Sequence, residues 1–303
     1  MNCHLVFALV AVEGLCSLGI EVVALRRIVP YVGSSITITA PTIALFLAAL
    51  ALGYHRASRI GTAFDRRVVV NFIAAALFAG VGLSAWYAAL VFALVPERLL
   101  ALAIYLVTAM APPAFLLAQT VPVLSNELRG SRAGHSAGVA LAWSTAGSVI
   151  SALGLSLVVM QLFGLRWAVV LAAAPLATMA AVTARRLVDG HRLFRASIVT
   201  LGTVATVNLV PTPFVLAETA YADYVVVRQV EPTTASAGST LPIEHFVINQ
   251  QSASTLDAGE PRQRAAYIEY LSKVLRSDLR FEGKHILVLG AGGFTLGLGD
   301  DAN

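Results

Sequence analysis

Charged residues are scarce in this chain: they make up 13% of its 303 residues, whereas 57% are hydrophobic and the mean hydropathy is +0.77. A soluble domain of this length is about one-quarter charged, so the composition excludes an ordinary soluble protein. Lysine is absent from residues 1–216, where fourteen arginines and six acids sum to +8, and residues 217–303 sum to −4. The net positive charge therefore comes from arginines that flank apolar segments, and it does not predict nucleic-acid binding.

Cysteines and metal-ligand patterns are equally sparse. Cys3 and Cys16 lie at the start of the first apolar segment, so they indicate neither a disulfide framework nor a zinc site. His245 and His285 have no second ligand at a suitable spacing, and no nucleophile elbow, P-loop or zinc-protease motif is present. We therefore predict no metal cofactor.

Seven apolar segments are each long enough to cross a bilayer, which takes roughly 20 residues. They cover residues 4–25, 36–55, 68–92, 98–121, 136–163, 166–184 and 196–216. The fifth is rich in Gly, Ala and Ser, which predicts close helix packing inside a bundle. Pro112-Pro113 interrupts the fourth, either as a packing kink or as a break that protein or a wet cavity must cover. The sequence predicts an α-helical polytopic membrane bundle of about seven spans.

Arginine placement predicts the orientation of this bundle. The connections after segments two, four and six carry ten arginines, and the alternate connections carry only Arg26, Arg27, Arg98 and Arg166. This bias places the N-terminus in the cytoplasm. Seven crossings would then leave residues 217–303 outside, whereas a nucleotide-type ligand is a cytoplasmic metabolite, so the side of the C-terminal part stays open.

Two acids lie within the first apolar segment. Glu13 and Glu21 are eight residues apart and share one face of a helix. Ionisable groups at membrane depth often mark ion or proton paths. The alternative for Glu21 is an interfacial residue held by Arg26. Because Glu13 is deeper, it is the better candidate for a functional membrane-embedded acid.

The C-terminal part has the pattern of a soluble α/β region. Tyr221–Arg228 and Ile243–Ile248 predict short strands, and apolar spacing predicts a helix within 260–279. A strand over 284–289 then leads into a turn with Gly290, Gly292 and Gly293. Such glycines let the backbone approach a ligand, and the helix that follows offers free N–H groups. The alternative is a purely structural strand-to-helix turn.

This combination resembles bacterial membrane proteins in which a multi-span region is fused to a spermidine synthase-like (polyamine aminopropyltransferase) domain. The resemblance is carried by segments that occur in the expected order: Glu21–Arg26, Tyr31–Ser35, Phe46–Gly53, Pro122–Leu124, Trp143–Ser148, Phe163–Arg166, Glu218–Tyr221, Asn249–Ser252, Tyr267–Glu269 and Leu287–Leu296. It implies a multi-pass protein of the bacterial inner membrane. The expected organisation is a transmembrane domain over 1–216, a β-hairpin and helix region over 217–282, and the start of a Rossmann-like domain over 283–303.

The resemblance also implies a ligand and its contacts. Decarboxylated S-adenosylmethionine, or S-adenosylmethionine itself, would be held by Gln251 at a strand end, by Tyr267 and Glu269, and by the glycine turn. The full-length parent would transfer an aminopropyl or related group to a small amine. The sequence leaves open whether the protein forms a homo-oligomer.

Several family positions differ or lie beyond the chain. Ile268 stands where a polar residue is expected, Thr295 replaces a third glycine, and the ribose-binding and catalytic acids would follow Asn303. We therefore expect a truncated Rossmann domain and an inactive chain, without assigned catalytic residues. Two alternatives remain: a membrane transporter or channel with a sensor domain, and a non-catalytic membrane scaffold.

Overall fold

The computed structural model describes two compact units of the chain. The described residues are 3–59, 64–127, 133–188, 190–210, 215–218, 222–230, 242–249, 251–257 and 266–279. One unit comprises Met1–Thr212 with Glu218–Tyr221, and the other comprises Pro213–Ala217 with Ala222–Asn303.

The first unit is built from helices packed around a core of small and medium apolar side chains. The helices are α1 (Cys3–Val32), α2 (Ile36–Ser58), α3 (Phe64–Gly82), α4 (Ala85–Leu94), α5 (Arg98–Tyr105), α6 (Ala111–Ala118), α7 (Thr120–Glu127), α8 (Ala133–Leu153), α9 (Met160–Leu162), α10 (Leu165–Ala184) and α11 (His191–Leu209). π-helical turns over Leu106–Met110 and Gly154–Val159 join α5 to α6 and α8 to α9.

Within the described residues, five helical segments are long and apolar enough to cross a membrane. They are His4–Val32, Ile36–Ser58, Arg98–Val123, Ala137–Leu162 and Leu165–Ala184. A sixth arises if α3 and α4, bent by 63° at their junction, count as one span. The prediction of several helices apolar enough to span a membrane is confirmed, with five to six rather than seven among the described residues. The seventh predicted segment forms α11, which is less apolar and ends at Leu209 rather than at residue 216.

The fourth predicted segment is continuous despite its two prolines. A proline inside an α-helix lacks an N–H and clashes with the carbonyl four residues earlier. Here the π-helical turn precedes the prolines, and the amide of Ala111 bonds to the carbonyl of Leu106, five residues back. Pro112 and Pro113 then occupy the first turn of α6, where no intrahelical N–H is required. The structure therefore shows a widened turn rather than a break.

Contacts between side chains give the relative directions of the helices. α1 and α8 are parallel, because Phe7 stacks on Trp143 near one end and Gly19 meets Ser151 further along both helices. The end of α11 lies beside the end of α3, because the Asn208 amide donates to the Gly80 carbonyl at 2.8 Å. α10 and α11 pack as an antiparallel hairpin across a short connection.

The second unit contains a four-stranded sheet in the order β1 (Val215–Glu218), β2 (Asp223–Val230), β3 (Pro242–Ile248) and β4 (Gln251–Asp257). β2 pairs with β3, and β3 with β4, in antiparallel register. Helix α12 (Ala266–Lys273) follows and ends in a π-helical turn over Val274–Asp278.

This sheet confirms two predicted strands and adds two that the sequence pattern did not predict. β4 reads Gln-Ser-Ala-Ser-Thr-Leu-Asp and lacks the alternation of apolar residues that marks a half-buried strand. Asn249 has a φ of 49°, a left-handed conformation that asparagine tolerates, and it lies in the turn between β3 and β4. Gln251 is the first residue of β4 and follows this turn.

Candidate functional site

Glu13, in the first half of α1, is the acidic residue that the described part of the helical unit buries. Its side chain is only 2% exposed, and the Ser144 hydroxyl on α8 donates a hydrogen bond to Oε2 at 2.8 Å. Among the described residues no basic side chain lies within 4.0 Å of this carboxyl. If Glu13 is ionised, the hydrogen bond from the neutral Ser144 hydroxyl is the polar contact that stabilises its charge.

Glycines bring α1 and α8 into backbone contact around this pair. A Cβ at Gly14 would overlap the carbonyl oxygen of Ser144, and a Cβ at Gly147 would overlap that of Ala11. The Ser148 hydroxyl donates to the Gly14 carbonyl at 3.0 Å. Because small residues allow this approach, the short serine side chain of α8 reaches the glutamate of α1.

The hydrogen bond to Glu13 contributes little to stability. Side-chain hydrogen bonds between membrane helices contribute about 0.6 kcal/mol on average and rarely more than about 1.7 kcal/mol. A charge at membrane depth costs at least about 2.5 kcal/mol. The pair therefore does not offset the cost of placing an acid in the bundle, so its presence favours a functional role.

Further polar side chains follow Glu13 along the interface. Ser17 lies one helical turn after Glu13 and is 8% exposed, and Glu21 lies two turns after it and is half-buried. On α8, the buried Ser151 hydroxyl faces Gly19 and has no hydrogen-bond partner within the described part of the chain. Ser17 and Glu21 thus follow Glu13 along one face of α1, and Glu13 is the acid that contacts α8.

A second polar feature lies where α1 ends, at the bend between α3 and α4. The Nε of buried Arg27 donates to the carbonyl of Leu83 at 3.0 Å. This carbonyl follows the last turn of α3, where carbonyls lack intrahelical partners and the helix dipole is negative. Ser84 caps the start of α4 by accepting from the Tyr87 amide. Arg27 therefore caps the C-terminal end of α3. The sequence instead predicts a residue of the connection after segment one.

An aromatic cluster covers this bend. Tyr31 stacks on Phe92 with ring centroids 4.3 Å apart, and Tyr105 packs against Phe92 and Tyr87 at 6.1 Å. The Tyr105 side chain is fully buried, and its hydroxyl has no hydrogen-bond partner among the described residues. The Tyr87 hydroxyl instead donates to Thr108, which lies within the first π-helical turn. The cluster joins α1, α4 and α5.

The structure brings together two elements of the predicted cofactor site. Gln251 opens β4 opposite Ile248, and Tyr267 lies on α12. The Tyr267 hydroxyl donates to the carbonyl of Ala253 in β4 at 2.9 Å, so α12 is tied to the strand that carries Gln251. Ile268, where the family pattern expects a polar residue, is 4% exposed and anchors α12 by burial.

The remaining residues of the predicted cofactor site are Glu269 and the glycines of the turn. Glu269 lies on α12, next to buried Ile268. The strand over 284–289 and the glycine turn with Gly290, Gly292 and Gly293 lie outside the described residues. No group of three potential metal ligands occurs in the described part of the chain.

The sequence did not identify two residues that define the helical site, Ser144 and Arg27. Ser144 lies within the segment Trp143–Ser148, which carries part of the family resemblance but does not indicate a partner for Glu13. A search for glycine and serine one turn apart, opposite an embedded acid, would have found it. From the sequence alone Arg27 is a flanking charge, because the sequence does not show that α1 extends to Val32.

No family model, curated protein or solved structure matches the chain.

Proposed function

We propose that the chain is a bacterial inner-membrane protein with a spermidine synthase-like region. Such a protein would bind decarboxylated S-adenosylmethionine or S-adenosylmethionine and transfer a group to a small amine. The supporting observation is the order of elements after the bundle: an antiparallel sheet, then α12 tied to β4 by Tyr267. In the resembling family such a region precedes the nucleotide-binding strand, which the sequence predicts over 284–289.

Ligand binding by the purified full chain tests this proposal. We expect decarboxylated S-adenosylmethionine or S-adenosylmethionine to bind in isothermal titration calorimetry. Gly292→Val should weaken that binding by at least about tenfold, or 1.4 kcal/mol, because a branched side chain blocks backbone approach to the ligand. Gly202→Val is the matched control, since a Cβ at Gly202 meets nothing within 4 Å.

Two calorimetric results would contradict the proposal: no heat with either compound, or equal weakening by both valine variants. Binding without turnover when a diamine is supplied would instead favour the non-catalytic scaffold.

A second candidate function is transport or conduction through the helical bundle. The observation that favours it is the buried Glu13–Ser144 pair, which lies in a bundle containing two π-helical turns. π-helical turns occur frequently at functional sites, and embedded acids often lie on ion pathways.

Charge movement across a solid-supported membrane tests the second candidate. Proteoliposomes are exposed in turn to steps of sodium, potassium and proton concentration. We expect a transient current in at least one case, and its loss in the Glu13→Gln plus Glu21→Gln variant. A current that is unchanged in this variant, or absent from the native protein, would exclude the transport proposal.

We also propose that α11 is a seventh crossing. Ser197, Thr200, Val204 and Asn208 are buried at helical spacing, whereas Ile198 and Val199 on the outer side are 47% and 67% exposed. A helix with polar residues inside and apolar residues outside suits lipid, and the basic residues His191, Arg192 and Arg195 at its start explain its lower hydropathy. With the N-terminus cytoplasmic, the chain after α11 would be extracytoplasmic. A cytoplasmic ligand requires the opposite orientation, so the orientation discriminates between the two candidate functions.

A further inference from the structure

We propose that Glu13 is a reversible proton-binding residue of the bundle, with Ser144 as its positioning residue. This inference deepens the second candidate function and identifies the ion as a proton. It begins from the contacts of the carboxyl: Oε2 accepts from the Ser144 hydroxyl, and the whole side chain is 2% exposed.

The ligand set favours a proton over a metal cation. A sodium or divalent ion takes several oxygen ligands, and the carbonyls around Glu13 belong to continuous helices. Ser148 donates to the Gly14 carbonyl, so that oxygen already has a partner. No cluster of three acidic, histidine or cysteine ligands occurs in the described residues. A proton requires only the carboxyl itself.

Within the described part of the chain, no charged side chain is paired with Glu13. Among the described titratable side chains, Cys16 on the same helix and Tyr54 on α2 interact with it electrostatically. Both are neutral in their ordinary form. α8 contributes the Ser144 hydroxyl, and α10 contributes the Leu176 backbone group that bonds to Cys16. A buried carboxyl without a charged partner becomes neutral by binding a proton, and it becomes charged again when it releases that proton.

A path toward the end of α1 follows from the helix geometry. Ser17 and Glu21 lie one and two turns beyond Glu13, which places Glu21 about 12 Å further along the axis. Glu21 is half-buried, so it is more accessible than Glu13. A proton leaving Glu13 in this direction would pass the Ser17 hydroxyl before reaching the second acid.

Labelling with dicyclohexylcarbodiimide tests the site without any transport assay. This apolar reagent adds to a protonated carboxyl in an apolar environment, and peptide mass mapping locates the adduct. In native protein in proteoliposomes, we expect Glu13 to be modified in a pH-dependent way. Ser144→Ala should shift the half-labelling point to higher pH, because the hydroxyl no longer stabilises the carboxylate.

Matched variants keep the test independent of folding. Glu13→Gln should lose the adduct while retaining the melting temperature of the native protein. Glu97→Gln, which changes the exposed acid that caps α5, should leave the labelling of Glu13 unchanged. If Glu13→Gln does not fold, the pH profiles of the native protein and of Ser144→Ala decide the question.

Absence of an adduct at Glu13, or labelling that is constant between acidic and alkaline pH, would overturn the proposal. So would a Ser144→Ala profile identical to that of the native protein. Flux does not enter this readout. A protein that labels as expected but moves no charge would therefore retain the proton site and lose the transport function.

Discussion

Gly147→Leu is expected to destabilise the helical unit by about 3 kcal/mol, at the upper end of the usual cost of overpacking. The reason is the backbone contact between α1 and α8. A Cβ at position 147 would lie well within 3.0 Å of the Ala11 carbonyl oxygen, whereas real Cβ atoms essentially never approach another heavy atom that closely. The obstructing atom is the Ala11 carbonyl oxygen, which is backbone and cannot rotate away. The two helices must therefore separate along their whole contact.

The measurement is the melting temperature of detergent-purified protein, with Gly138→Leu as the matched control. Gly138 lies on the same helix, but a Cβ there meets nothing within 4 Å, so its variant should melt at or slightly above the native temperature. Gly14→Leu should reproduce the effect of Gly147→Leu from the other side of the contact, because its Cβ would meet the Ser144 carbonyl. Equal melting of the Gly138 and Gly147 variants would show that the helices are not in backbone contact.

The second large effect is an all-or-none difference in chemical labelling at the two ends of α11. Val188 precedes the helix and is 93% exposed, and Val210 follows it and is 50% exposed. We expect single cysteines at these positions to react with a membrane-impermeant maleimide from opposite faces of the membrane. The 19 residues of α11 span about 28 Å, close to the thickness of the hydrocarbon core.

The background for this experiment is a chain in which Cys3 and Cys16 are replaced by alanine, and intact cells are compared with inverted vesicles. Labelling of both positions from one face would mean that α11 does not cross. If Val210→Cys reacts in intact cells, the C-terminal part is extracytoplasmic, which counts against an S-adenosylmethionine-type ligand. Reaction only in inverted vesicles would support that ligand and reverse the orientation that the arginines predict.

The helical fold could be predicted from the sequence because membrane spans depend on composition over long windows. All seven predicted segments are helical along most of their length, although only five to six are apolar enough to qualify as spans. The extension of α1 to Val32 was not predictable, because Arg26 and Arg27 look like an interfacial boundary. Only tertiary contacts, such as the Leu83 carbonyl, show that Arg27 lies within the bundle.

The candidate site could be predicted only in part, and for a related reason. The position of Glu13 in an apolar run identified it as unusual, but its hydrogen-bond partner lies 131 residues away on α8. Likewise, β4 has too few apolar residues to indicate a strand, and it is defined by pairing with β3. The partner of Glu13 and the strand β4 are both defined by contacts between residues far apart in the sequence, which local periodicity does not reveal.

The π-helical turn before Pro112 has a consequence for the rotational phase of the helix that contains it. Buried residues recur every fourth position through Ala101, Tyr105, Ala109, Pro113 and Leu117. A regular α-helix advances about 100° per residue, so a spacing of four drifts by about 40° at each step. The wider turn absorbs part of this drift and keeps both halves of the helix facing the same neighbours. A family of homologous chains that lost one residue here would have to rotate one half against the other.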